Sequence, residues 1–235
     1  MKRTVLITIV AAVVLLVSGL PAFAQGSYPP GTTWNSPFVV QNRTLYLCLP
    51  DGIRVFEAAD PARIRLAGSV DFDADAIVPA AMIPMTFYVS HTFPGAALRS
   101  EVAMLELVEP ARPRIVRSVE VASMPTDLAG VTGRLAVADA AVGLVILDPG
   151  TLAERGRVGT ALVDHVARDG DRAVFSSWDA DSSGDRLHVY DPRIPSSAEV
   201  LGTLDLGEPV VDLAVTGRTA LVLTSDSLTT VGLDD

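Results

Sequence analysis

The apolar residues of this chain come in short alternating runs. "TLYLCL", "GIRVF", "GLVIL", "RLHVY" and "TALVL" are strand-forming stretches bounded by Gly, Asp, Asn or Pro, the pattern of buried or half-buried β-strands joined by tight turns. One ending recurs. "GIRVFEAADPA", "AMLELVEPARP", "GLVILDPGTL" and "RLHVYDPRIP" each close a strand on an acid and place proline at once or soon after, and "SLTTVGLDD" repeats the motif at the C-terminal end. Proline has no N–H to continue a ladder and fixes φ, so it stops the strand. The aspartate before it accepts hydrogen bonds from the backbone of the turn.

The punctuating acids Glu57, Glu109, Asp148, Asp191 and Asp234 are 52, 39, 43 and 43 residues apart, a period that marks repeated supersecondary units, the second with an insertion. Ahead of each acid the sequence also repeats. "TDLAGVTGRLAVADAAVG" aligns with "VDLAVTGRTALVLTSDS" and with "VDHVARDGDRAVFSSWD", each reading strand, glycine turn, strand, loop, strand. Thr132-Gly133, Asp169-Gly170 and Thr216-Gly217 are the turn dipeptides, glycine supplying the positive φ that such hairpins demand. A fourth strand follows the proline, as in "RIRLAGSV" and "PRIVRSVEV". Four short antiparallel strands per unit predict an all-β fold, a β-propeller of five blades at about 35–73, 74–122, 123–161, 162–207 and 208–235. The last unit lacks its outer strand. "QGSYPPGTTW", residues 25–34, is the piece expected to fill that edge and close the ring, a larger ring being the alternative.

The N-terminus reads differently. Lys2 and Arg3 precede an apolar run from Thr4 to Leu20, and Ala22-Phe23-Ala24 gives small residues where a signal peptidase reads. Residues 1–24 are therefore expected to be a secretory signal cut before Gln25, leaving 25–235 as one propeller domain, secreted or periplasmic and without a stable membrane insertion. Cleavage would take Lys2 and Arg3, lowering the formal charge from −10 by two and removing the chain's only lysine. An acidic protein without lysine is a poor partner for nucleic acid or anionic lipid. Cys48 is the only cysteine, which excludes an intramolecular disulfide. Alternation places it on a half-buried face as an inert thiol.

With these residues in view the chain resembles the LVIVD-repeat family. "DLAGVTGRLAVADAAVGLVILDP" is its closest copy of the repeat, and "LYLCLPDGIRVFEAADPARIRLAGSV" keeps the Asp60-Pro61 step. The resemblance implies a β-propeller, commonly exported, and carries no shared chemistry. The "WDADSSGDR" loop and the "SHTFPGAALRSE" insertion depart from it.

Candidate chemistry gathers at one rim. Asp127, Asp164 and Asp212 open the first strands of three units, and Asp75 stands before a fourth. As a ring of carboxylates at the channel mouth they have two readings, acceptors of backbone N–H groups that tie blades together or ligands of a shared cation such as Ca2+. Asp179, Asp181, Ser183 and Asp185 alternate around a glycine like the start of a calcium loop, but Tyr190 stands where an EF-hand needs its closing glutamate. A solvated hairpin tip is the competing reading. His165 and His188 lie in strands without metal-site spacing, and a structural role is expected for them. Asp71, His91, Trp178 and Asp181 mark the expected partner face, for a protein or a small ligand. The absence of lysine after residue 2 excludes Ser–Lys and Schiff-base chemistry, and G-x-S-x-G is missing. The leading expectation is a non-catalytic binding or scaffold module. The alternative is a metal-dependent hydrolase, lactonase-like, with its cation at the mouth.

Overall fold

The structure, a computed structural model, describes residues 38–41, 43–49, 52–60, 63–72, 76–79, 86–92, 99–106, 109, 112–121, 125–131, 133–159, 162–178, 184–191 and 200–233. Residues 1–37, with the expected signal segment and the expected closing strand, lie outside them, as do Asp75, Asp179, Asp181 and Ser183.

Every described element is a strand, and every pairing is antiparallel between sequence neighbours. Sheet one comprises β1 (Phe38–Gln41), β2 (Thr44–Leu49), β3 (Gly52–Glu57) and β4 (Arg65–Val70). Sheet two comprises β5 (Ala76–Pro79), β6 (Thr86–Thr92), β7 (Ser100–Glu106) and β8 (Arg114–Val121). Sheet three comprises β9 (Pro125–Val131), β10 (Arg134–Asp139), β11 (Gly143–Leu147) and β12 (Glu154–Val158). Sheet four comprises β13 (Val163–Asp169), β14 (Arg172–Trp178), β15 (Asp185–Tyr190) and β16 (Val200–Asp205). Sheet five has three strands, β17 (Val210–Thr216), β18 (Thr219–Thr224) and β19 (Leu228–Gly232). The all-β, five-sheet architecture is the one the repeat predicts.

In sheets two to four the second and third strands are largely buried on both faces because each of these sheets is sandwiched between two others. In β11 all five residues are buried, so the run "GLVIL" cannot alternate. Fourth strands alternate or are largely exposed, as in β8 and β16. Four apolar cores fill the four junctions between sequence neighbours. Tyr46, Ile53 and Val55 meet Phe87, Val89 and Leu105 between sheets one and two, with Cys48 buried among them as expected. Tyr88 and Val102 meet Leu128, Leu135, Val137 and Leu147 between two and three. Ala138, Leu144 and Ile146 meet Val166, Phe175 and Tyr190 between three and four. Val174 and Leu187 meet Leu213, Ala220 and Val222 between four and five. Among the described residues no such core joins sheet five to sheet one, and the closing junction expected from the sequence is not made by them.

Turn chemistry follows the sequence. Gly133, Gly170 and Gly217 take φ of 69°, 58° and 60° in the first hairpins of sheets three to five, the left-handed region that costs glycine nothing. Arg43 does the same work in sheet one at φ 63°. Gly184 is fixed by crowding instead: a Cβ there would run into the backbone of Gly207 and Glu208.

Candidate functional site at the inner-strand rim

In a sequential antiparallel sheet the start of the first strand, the end of the second and the start of the third lie at one rim. That rim carries Asp71 after β4, His91 near the end of β6, Asp127 and Asp164 in the first strands, Trp178 at the end of β14, Asp185 opening β15 and Asp212 in β17. The structure therefore brings Asp71, His91 and Trp178 to the same rim. Trp178 is 40% exposed, and Asp71 is exposed.

The carboxylates at this rim are built into junctions. Asp127 accepts the amide of Leu128 at 2.7 Å on one oxygen and the amide of Val166, in the next sheet, at 2.9 Å on the other. Beside it the Thr126 hydroxyl donates to the carbonyl of Val163 at 3.0 Å. Asp185 accepts the amide of Val210 at 2.6 Å, and its own amide donates to the carbonyl of Glu208 at 3.1 Å. The close approach that requires Gly184 is this contact. His165 Nε2 donates to the carbonyl of Val210 at 3.2 Å. Of the acids the sequence placed in the ring, Asp127 makes such a backbone tie, and the other ties come from Asp185 and His165, which it did not place there.

The register alters one alignment. Asp127 stands opposite Ala138, and Asp212 opposite Leu223, each four pairs from its hairpin turn. In sheet four that position belongs to His165, opposite Ser176, and Asp164 is the bulged residue before it, in the place of Thr126 and Val211 in sheets three and five. In sheet two it is Ala76, opposite Ser90. The sequence signal for "Asp at the start of the strand" was thus one residue out at Asp164. The equivalent position lies four residues before the end of each first strand, at Val131, Asp169 and Thr216; counting from the glycines misses it, because Gly133 stands two residues beyond its strand and Gly170 and Gly217 one. Among the described residues no three His, Cys, Asp or Glu side chains come together closely enough to hold a metal ion.

Burial sets the electrostatics. It pushes the Asp127 carboxyl up to about 7, against the two amide bonds that favour its charged form, with the charge of Asp212 adding to the rise. It pushes Asp164 up to about 6, helped by the charge of Asp185, and raises Asp185 itself against the Val210 bond. Burial lowers His165 and His188, so both rings are held neutral. His188 stacks on Phe175 with ring centres 4.8 Å apart. Its Nε2 lies 2.7 Å from the Ser177 hydroxyl and its Nδ1 3.0 Å from that of Thr203. Sequence reasoning missed this serine–histidine–threonine chain, whose partners sit on three neighbouring strands. Ser177 and His188 are 4% and 6% exposed, and the chain braces sheet four across three strands.

At the opposite rim Asp148 acts as the sequence anticipates. Asp148 accepts from the amides of Gly150 and Thr151 at 3.0 and 2.9 Å, and from Arg155 at 2.8 Å. The Arg155 guanidinium and the turn amides hold its carboxyl well below the usual range. Glu57 with Arg65 and Glu106 with Arg114 form the same third-to-fourth-strand pair. Beside β19, which has no fourth strand among the described residues, a groove of about 270 Å3 is lined by Leu187, Leu201, Leu204 and Val231.

No protein-family profile matches the chain, and no curated protein matches it. Solved structures do. The chain is similar to the Pan2 WD40 domain of Neurospora crassa, with a TM-score of 0.60 at 10% identity over 83% of this chain and 60% of that one. It is similar to the WD40 β-propeller domain of Doa1, at 0.61 and 10% identity over 83% and 64%. It is also similar to BamB from Moraxella catarrhalis, at 0.55 and 12% identity over 83% and 56%. The chain spans less than two thirds of each of these proteins. With its five antiparallel sheets, the fold is that of a β-propeller. Among the described residues no helix is long and apolar enough to cross a membrane.

Proposed function

We propose that this β-propeller is an exported, non-catalytic interaction or scaffold module, secreted or periplasmic, that takes a protein partner on the inner-strand rim. The observation that carries the reading is Trp178. A large aromatic side chain stands 40% exposed at a rim whose buried polar groups, Asp127, His165 and Asp185, are already engaged by backbone. Tryptophan is among the side chains enriched at the energetic centres of protein interfaces. Asp71, exposed on the same rim, supplies a charge at the edge of that surface. The leader at 1–24 supports export, and the likeness to LVIVD repeats is consistent with it.

The test is affinity enrichment of the exported fraction on the full chain, alongside Trp178→Ala and a control change at the far rim, Arg218→Ala. Loss of the enriched partner with Trp178→Ala alone supports the reading. Turnover of an ester or lactone by the purified protein, with a rise in melting midpoint on adding calcium, would replace it with the hydrolase alternative.

A further inference from the structure

Each junction between sheets is made in one way. The covering sheet contributes the same register positions every time: Phe87, Val89 and Leu105 in sheet two, Leu135, Val137 and Leu147 in sheet three, Ala173, Phe175 and Tyr190 in sheet four, Ala220, Val222 and Val231 in sheet five. A fourth-strand residue joins in sheets two and four, Ile115 and Val200. The covered sheet contributes a row beginning at its inner strand, Asp127–Ala138–Leu144 in sheet three and His165–Ser176–Leu187 in sheet four, all buried.

Both halves of this junction recur at the ends of the array, each without its counterpart among the described residues. In sheet five the row is Asp212–Leu223–Leu228. Asp212 is exposed, and Leu223 and Leu228 are 39% and 67% exposed, where Ala138 and Leu144 are fully buried. Among the described residues Asp212 accepts only the neighbouring amide of Leu213, at 2.8 Å. Asp127 makes the same bond and spends its second oxygen on the next sheet. In sheet one the covering positions are Leu45, Leu47 and Phe56, with Leu66 at the place of Ile115 and Val200. None of the four belongs to an inter-sheet cluster: Leu45 is buried, Leu47 and Phe56 are half-buried, and Leu66 is 61% exposed. By register Phe38 stands where Val166 stands in sheet four, so its amide is the counterpart of the one that Asp127 accepts.

We infer that the outward face of sheet five docks the first sheet of a second copy of this chain, head to tail, repeating the junction that joins sheets three and four. The two faces carry matching apolar rows and a matching acceptor and donor. Each face repeats one half of a junction that this chain already makes within itself, so a second copy presents the complement of each. Such a heterologous contact builds rings or open chains.

Sedimentation velocity over a dilution series of the full chain tests this, with Leu228→Glu and Leu66→Glu as variants at exposed positions whose fold is checked by circular dichroism. The wild type associates as concentration rises. Each variant alone has lost one face. The two mixed regain a dimer, because Leu228→Glu keeps its first sheet and Leu66→Glu its fifth. A wild type that stays single at every concentration overturns the proposal, as does association unchanged by the variants or a mixture that does not dimerise. A single-chain wild type whose melting midpoint falls with Leu228→Glu would assign both faces to closure within one chain.

Discussion

At the scale of the residue, function and stability meet at Asp127. Its carboxyl ties sheet three to sheet four through the Val166 amide while buried. Asp127→Asn keeps one acceptor and turns an N–H towards the other amide, so it should cost about 1–3 kcal/mol. The sign of the pH effect follows from the raised value. Between the ordinary 3.8 and about 7 the folded protein holds a proton that the unfolded chain has lost. The stability this group contributes is therefore present at low pH and lost as pH rises through about 7. His165 and His188 act oppositely, since their lowered values make protonation below the ordinary 6.5 favour unfolding. Denaturant melts at pH 4.5 and 7.5 check this: the gap between wild type and Asp127→Asn should be wider at the lower pH, and a gap independent of pH would contradict the burial of the carboxyl (values about the two limits). Asp127 was legible in the sequence as a strand-opening acid. His165 as its equivalent was not, because aligning the turn glycines sets Asp164 against Asp127, whereas β9 ends two residues before Gly133 and β13 one residue before Gly170.

At the scale of the element, the strands and their turns were the most readable part of the chain. Alternation, glycine dipeptides and the acid–proline ending each act within a few residues, and tertiary packing agrees with all three. What local pattern misses is contact between distant segments. Gly184 looked like the glycine of a calcium loop, whereas its place is set by the backbone at 207–208 pressing on it. Gly133 has open space around its missing Cβ and needs only its φ of 69°. The two should separate on mutation. Gly133→Ala pays left-handed strain of about 1 kcal/mol, while Gly184→Ala must also displace the loop that seats Asp185 against Val210, at about 3 kcal/mol or more. Thermal unfolding of the two variants measures the difference, and equal losses would remove the role given to Gly184.

At the scale of the whole molecule, the repeat carries the fold because each sheet has one face that covers its predecessor and one that is covered. Period and punctuation revealed five such units. They did not reveal whether the first and fifth meet, since every unit carries both faces whether or not a neighbour is present. The rim was legible as a cluster of acids with His91 and Trp178 among them. Which of them are braces depends on junction geometry that no spacing records, and Trp178 stands out because its neighbours are engaged.

The central claim is that a buried inner-strand carboxylate, Asp127, binds sheet three to sheet four, and amide hydrogen exchange at Val166 tests it most directly. The Val166 amide should exchange only with global unfolding in the wild type and far faster in Asp127→Ala, with the amides inside β10 and β11 still protected. Rapid exchange at Val166 in the wild type, or exchange unmoved by Asp127→Ala, would contradict the account.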